Sequence, residues 1–307
     1  MSLLVVGTVA FDQIETPFGK TDKILGGAAT FIGMAASLLE VDTDIVSVIG
    51  GDFPQEYLDL MKSKNIGLEG IQKIEEGKTF FWSGKYRNDM NSRDTLVTEL
   101  NVLENFHPVV PEKWKQPEVL MLGNLHPLVQ MAVVEQLDIR PKLVVLDTMN
   151  FWMDHTWDDL MKVMKKVDVL TINDEEARQL SKEYSLVKAA KKILSMGPTT
   201  LIIKKGEHGA LLFNENNVFF APALPLDDVF DPTGAGDTFA GGFSGFLAKT
   251  KNYSFENMKR AIVYGSALAS FTVEKFGTER LAELTKEELD ERLEVFKDLT
   301  SFDIELD

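Results

Sequence analysis

Short, nearly continuous apolar runs recur along the chain at Leu3–Gly7, Ile45–Ile49, Val119–Leu122, Leu143–Asp147, Val169–Ile172, Leu201–Lys204 and Ala210–Phe213. A strand that is apolar at successive positions must be covered on both faces, which is the condition of a parallel sheet held between helical layers. Helical patterns fill the gaps at Ala28–Leu39, Gln55–Lys64, Leu128–Leu137, Thr156–Lys165, Asp174–Ser181 and Val187–Ser195. Three further helices are expected around Thr238–Ala248, Phe255–Val273 and Lys286–Leu299. The alternation predicts an α/β fold with a central, mostly parallel sheet flanked by helices. With 307 residues, 44% of them hydrophobic, residues 1–307 suit a single large domain.

Two segments break the alternation. Residues 10–25 are polar and turn-rich, and residues 73–103 contain Thr79–Tyr86, TFFWSGKY. In an extended chain Phe81, Ser83 and Lys85 point one way and Phe80, Trp82, Gly84 and Tyr86 the other. The two segments are read as a small β-lid over the edge of the main sheet, or as two separate surface hairpins.

The formal net charge of -16 excludes a nucleic-acid binder of the usual kind, because neutralising a phosphate backbone needs clustered Lys and Arg. It does not exclude a nucleotide, since backbone N–H groups can cradle phosphate inside an acidic protein. There is no cysteine, so thiol chemistry is excluded. His107, His126, His155 and His208 lack the spacing of zinc ligands. The opening MSLLVVG has no basic region, and no apolar stretch is long enough to span a bilayer, so a cytoplasmic protein without a membrane partner is expected.

Chemistry concentrates at Asp231-Pro232-Thr233-Gly234-Ala235-Gly236-Asp237, which leads into a helix. Gly234 and Gly236 let the backbone turn and approach a ligand. The helix's first N–H groups and its dipole favour an anion. Asp237 at that end has two readings: a helix cap, or the acceptor of a hydroxyl proton during phosphoryl transfer.

DPTGAGDTFAGGF resembles the C-terminal signature of the ribokinase-like, or PfkB, carbohydrate kinases, and the resemblance covers nearly the whole chain. It implies the ribokinase-like fold, with Asp237 as catalytic base and the backbone of Gly234, Ala235, Gly236 and Asp237 as the anion hole. The motif is not a P-loop, because no G-x-x-x-x-G-K-[ST] occurs.

The resemblance extends to other sites. Asp12, after the first strand, matches an aspartate that binds substrate hydroxyls. Gly26-Gly27 matches the paired glycines that join lid to core and line the sugar pocket. Phe31 departs from the pattern: many sugar kinases have Asn there, and a phenyl ring cannot replace its hydrogen bond to a sugar hydroxyl. Phe31 is therefore assigned to packing against a flatter, less polar substrate group. Asn173-x-x-Glu176 resembles the motif that orders Mg²⁺ through water, and it also reads as a helix cap with acids in the first turn. Lys204 and Gly206 match the turn against the nucleotide phosphates and ribose. Val273 and Gly277 match the wall and loop around the adenine. Asp231 matches a monovalent-cation position, K⁺ in some relatives.

Asn124 and Asp147-x-x-Asn150 follow strands, where α/β sheets bind ligands; substrate contact and loop ordering are both open for them. Lys85, Asp89, Asn91 and Arg93 are the polar lid candidates, with Arg93 taken as a substrate contact. The expected activity is ATP- and Mg²⁺-dependent transfer of a phosphoryl group to a hydroxyl of a sugar or sugar phosphate. A nucleoside kinase is the first alternative, and a noncatalytic ligand sensor on the same fold is the second. Lids of this kind can pair edge to edge and protect exposed strands, so a homodimer through the lid and a monomer are both open.

Overall fold

The computed structural model describes residues 3–301 and 303. In chain order the strands are β1 (Leu3–Val6), β2 (Ala10–Thr16), β3 (Gly19–Lys20), β4 (Ile24–Gly26), β5 (Thr43–Gly50), β6 (Ile66–Ile74), β7 (Phe81–Tyr86), β8 (Arg93–Glu99), β9 (Val119–Leu122), β10 (Leu143–Asp147), β11 (Val169–Asn173), β12 (Thr200–Lys204), β13 (Ala210–Phe213) and β14 (Val218–Ala221). The helices are α1 (Ala28–Ser37), α2 (Gln55–Ser63), α3 (Pro127–Gln136), α4 (Asn150–His155), α5 (Trp157–Met164), α6 (Asp174–Ser181), α7 (Leu186–Leu194), α8 (Ala235–Thr250), α9 (Phe255–Thr272), α10 (Glu279–Glu283) and α11 (Lys286–Thr300).

Nine strands form the large sheet in the order β14-β13-β12-β11-β10-β9-β1-β5-β6. All pairs from β12 to β6 are parallel, and β13 and β14 add an antiparallel edge. Strand β1 shows why the runs are apolar throughout. Leu3 and Val5 join the core layer that includes α1, α8 and α9, while Leu4 and Val6 join the layer that includes α5, α6 and α7. All four are fully buried.

The two outermost strands, β6 and β14, carry no continuous apolar run, because each is partly solvated as an edge. The short helices α4 and α10 were likewise invisible to periodicity, which needs more than one or two turns to register. Helix α8 begins at Ala235, ahead of the expected Thr238, because Gly234 caps it in a left-handed conformation with φ 76°.

The second sheet has the order β3-β2-β7-β8, with β4 also paired to β2. The two irregular segments are therefore one sheet rather than separate hairpins: β2 runs parallel to β7, pairing Phe11 with Phe81 and Gln13 with Ser83. Lys73 and Ile74, at the start of the second segment, instead finish β6. Every residue of the outer strand β8 is exposed, Leu96 at 52% and Val97 at 40%. No described helix is long and apolar enough to cross a membrane.

Parallel register brings the carboxyl ends of β1, β9, β10, β11 and β12 to one edge of the large sheet. Asp147 pairs with Thr171, and Asn173 pairs with Lys204. The helices α1 and α8 start at this same edge, after Gly27 and Gly234.

Candidate active site

The turn Asp231–Gly234 is set by one fully buried carboxylate. Asp231 Oδ1 accepts from Thr233 N–H and Oδ2 from Gly277 N–H, each at 2.8 Å. Gly277, itself at φ 57°, thus serves the turn. The para edge of the Phe31 ring lies where a side chain on Gly234 would begin, 2.4 Å from an ideal Cβ. Phe31 is 1% exposed. The structure thus places this ring, buried, under the glycine turn.

The cap of α8 is Gly234, with no side-chain cap bond. Asp237 is in the first turn and caps nothing. The Gly236 and Asp237 N–H groups have no backbone partner among the described residues, while Ala235 N–H is committed to Pro232 O at 3.2 Å. Gly234 N–H likewise has no partner among the described residues, so the anticipated anion hole keeps free donors on both sides of Ala235.

Lys204 Nζ reaches this point from β12. A side chain added at Gly236 would begin 3.0 Å from it. Nζ donates to Asp147 Oδ2 at 2.9 Å, a pair with little exposure. Glu176 and Asn173 form a reciprocal cap at the start of α6. Asn173 N–H donates to Glu176 Oε2 at 2.7 Å, and Glu176 N–H to Asn173 Oδ1 at 2.8 Å. The cap holds Glu176 beside Lys204, so the capping role and a site role are compatible.

The small sheet brings the other half. Asp12 on β2 is 6% exposed and lies so close over Gly26 that any side chain there would collide with it. The Gly27 N–H lies close enough to lower its pKa. Gly27 has φ 94°, and a Cβ there would meet Thr8 O at 2.5 Å. Arg93, from β8, sits 5.7 Å over the Trp82 ring. Its charge is felt at Asp12, Glu176 and Asp237. Thr233 Oγ1 donates to Tyr86 Oη at 3.1 Å, which ties the small sheet to the glycine turn.

The electrostatics show surplus negative charge. Burial pushes Asp237 up to about 7, Asp147 adds to this, and Lys204 and Arg93 pull back. Burial takes Asp12 to about 7 as well, offset by the Gly27 N–H and reinforced by Asp231 and Asp237. Glu176 also reaches about 7 through burial and Asp147. Burial works against the Lys204 charge, yet Asp147, Glu176 and Asp237 around it hold its ammonium protonated beyond the usual range. Among the described residues, no three carboxylate or imidazole groups converge to hold a metal unaided. The surplus charge at Asp147, Glu176 and Asp237 suits a divalent cation that also takes oxygen from phosphate and water.

A pH dependence follows. Asp12, Glu176 and Asp237 hold protons in the folded chain up to about pH 7, whereas their ordinary values are 3.8, 4.5 and 3.8. The folded state therefore binds more protons than the unfolded state across that interval, and stability falls as pH rises through it. The paired surface carboxylates, such as Glu288, shift downward and titrate below this window. Thermal melts without nucleotide should show a Tm that declines from pH 5 to 7 and then levels. A rising Tm would contradict the buried acid cluster.

A cavity of about 600 Å³ opens beside Gly236, with Lys204, Gly206, Ala235, Phe239 and Val273 in its wall. Gly206 and Val273 are thus brought to one space. Asn124 is tied elsewhere: Oδ1 accepts from Trp152 Nε1 at 2.8 Å, and Nδ2 points to Met149 Sδ at 3.1 Å. Asn150 Nδ2 donates to Gln179 Oε1. Both order loops. The contact between Tyr86 and Thr233 has no signal in the sequence, because no spacing connects the two. Asp147 was visible only as a polar residue ending a strand.

The pfkB family carbohydrate kinase model matches residues 2–284. The cytidine kinase of Thermococcus kodakarensis is 30% identical over 249 residues, covering 79% of this chain and 87% of that protein. The crystal structure of the Methanocaldococcus jannaschii nucleoside kinase matches with a TM-score of 0.77 at 22% identity, over 96% of this chain and 99% of that one. The Arabidopsis thaliana ribokinase complexed with ribose and ATP matches at 0.75 and 17%, over 95% and 98%. The two structural likenesses establish the ribokinase fold, and the match to the family model extends over most of the chain: it belongs to the pfkB family of carbohydrate kinases, phosphotransferases that act on a hydroxyl group.

Proposed function

We propose that this kinase transfers the γ-phosphate of ATP to a sugar hydroxyl of a nucleoside. The observation that carries the reading is the pair Asp12 and Asp237, two buried carboxylates close enough that the charge of Asp237 adds to the raised pKa of Asp12. On the far side of Asp237 lie the free Gly236 and Asp237 N–H groups and Lys204.

In this reading the acceptor hydroxyls bind Asp12 and the Gly26-Gly27 backbone. Asp237 takes the proton of the attacking hydroxyl, a role worth about 10²–10⁴-fold in rate. The free N–H groups and Lys204 meet the negative charge of the transferring group. Asp147 and Glu176 would hold Mg²⁺, in Glu176's case through water. When bound, the ion neutralises phosphate charge and aligns the oxygens. Arg93 and the Tyr86–Thr233 bond keep the small sheet closed over the acceptor as a lid, which excludes water. Asp231 is already engaged by two N–H groups, so its part is to fix the turn.

The same charges select the acceptor class. Asp12 feels the charges of Asp231 and Asp237 against the cation Arg93, and Asp237 also faces Lys204. A sugar phosphate would bring two more negative charges into that field, so a neutral acceptor is favoured. Phe31 supplies no hydrogen bond to a free sugar, and the cytidine kinase relative points to a nucleoside.

Initial rates with Mg²⁺ and ATP against cytidine, adenosine, inosine, ribose and fructose 6-phosphate test the assignment. The expected order places a nucleoside highest in kcat/KM and fructose 6-phosphate lowest. Preference for the sugar phosphate would overturn it. Nucleotide binding without product from any acceptor would support the sensor reading instead.

A further inference from the structure

The cavity beside Gly236 is not built by the large sheet and its helices alone. Its wall includes Phe18 and the segment Asn88–Asn91. Phe18 lies in the turn between β2 and β3, and Asn88–Asn91 lie in the turn between β7 and β8. Both turns belong to the small sheet.

Each turn is held in place. Thr16 Oγ1 accepts from Phe18 N–H at 3.1 Å, and Thr21 N–H donates to Ile14 O at 2.9 Å. The Phe18 ring packs at 4.7 Å on Phe230, a ring of the large domain, and Gly19 sits over Phe276. Phe18 nevertheless stays 46% exposed and Phe230 37%, so an aromatic face remains at the cavity. In the second turn Asp89 accepts from Asn91 N–H, Ser92 N–H and Ser92 Oγ. This sets Asn91 against Gly206, where an added Cβ would meet Asn91 Oδ1 at 2.8 Å.

The cavity is chemically divided. Lys204 and Gly236 form a polar end suited to phosphates. Phe18, Leu224, Val229, Phe239, Ala269 and Val273 offer an apolar wall suited to a planar ring. We propose that Phe18, carried by the small sheet, closes over the base of the phosphoryl donor and is a determinant of donor affinity. The proposal rests on the kinase reading above. It makes one sheet a wall of both substrate sites, with Asp12 at one end of β2 and Phe18 just beyond the other.

The test is calorimetric titration of wild type, Phe18→Ala and Phe18→Tyr with two probes in Mg²⁺: the β,γ-imido analogue of ATP, and inorganic tripolyphosphate. Loss of a ring stacked on a base should weaken the nucleotide on the order of 10-fold. Tripolyphosphate, which has no base, should bind wild type and Phe18→Ala alike, and Phe18→Tyr should keep the nucleotide affinity. Equal nucleotide affinity in wild type and Phe18→Ala overturns the proposal and leaves the kinase reading standing. Equal loss for both probes also overturns it, since Phe18 would then only hold the sheet in place. A wild type that binds neither probe overturns the kinase reading itself, and this proposal with it.

Discussion

Asp237→Asn should lose about three orders of magnitude in kcat while binding the ATP analogue nearly as well as wild type. The substitution keeps shape and removes the ability to accept a proton. The Asp237 side chain makes no hydrogen bond that orders the helix, because the cap of α8 is Gly234. The fold should therefore survive, and melting temperature should hold or rise, since a buried charge pushed up to about 7 is removed. Steady-state turnover and analogue titration on the same preparation check the two halves. Near-normal turnover would move the base elsewhere, with Asp12 as the next carboxylate in reach. Loss of nucleotide affinity equal to the loss in rate would make the residue a binding group instead.

Lys204→Met should damage both stability and donor affinity. The ammonium is the cation that Asp147, Glu176 and Asp237 share. Removing one partner of a buried ion pair typically costs about 3–5 kcal/mol, because the remaining charge is left uncompensated. The cost here depends on pH. Near pH 5 the carboxylates can take up protons and the variant should melt close to wild type. Toward pH 8 they must ionise without their cation, and the gap should widen. Urea unfolding at the two pH values measures this. A gap independent of pH would mean that packing, not charge, sets the loss. In turnover the variant should show a raised KM for ATP as well as a lowered kcat, since the same ammonium sits against Gly236 where phosphate charge would collect.

How much of this was legible depends on whether a residue acts locally or across the chain. The strands Val119–Leu122, Leu143–Asp147 and Ala210–Phe213 were readable to the residue, because burial on both faces leaves no room for polar positions. Strands β6 and β14 were not, because an edge strand needs only part of its surface apolar. The glycine turn was legible as an anion site from its composition, and the structure resolves its geometry: the cap falls on Gly234 and leaves Asp237 free.

Phe31 shows the opposite case. Its identity announced a departure from the sugar-kinase pattern, but a sequence does not say which way a ring points. The ring fills the space under Gly234. The Tyr86–Thr233 bond joins residues 147 positions apart; Thr233 stands in the glycine motif, but nothing in the sequence links it to Tyr86. Lys204 and Asp147 were each readable as strand-end polar groups, but their pairing depends on the order of β10, β11 and β12 in the sheet.

That order of strands also bears on how the molecule assembles. Gln13 and Ser83 face each other across β2 and β7, separated by 70 residues. A parallel pair cannot be closed by a tight turn, so long-range closure must come first. Between them the chain first returns to β2 as β3 and β4, then runs through α1, β5, α2 and β6, and β5 and β6 join the large sheet. Pairing of β5 with β1 shortens the loop that must close to bring β7 beside β2. Partial opening of the native state then has a natural first step: parting of β2 from β7 would separate Asp12 from Tyr86 and Arg93 while the large sheet stays whole.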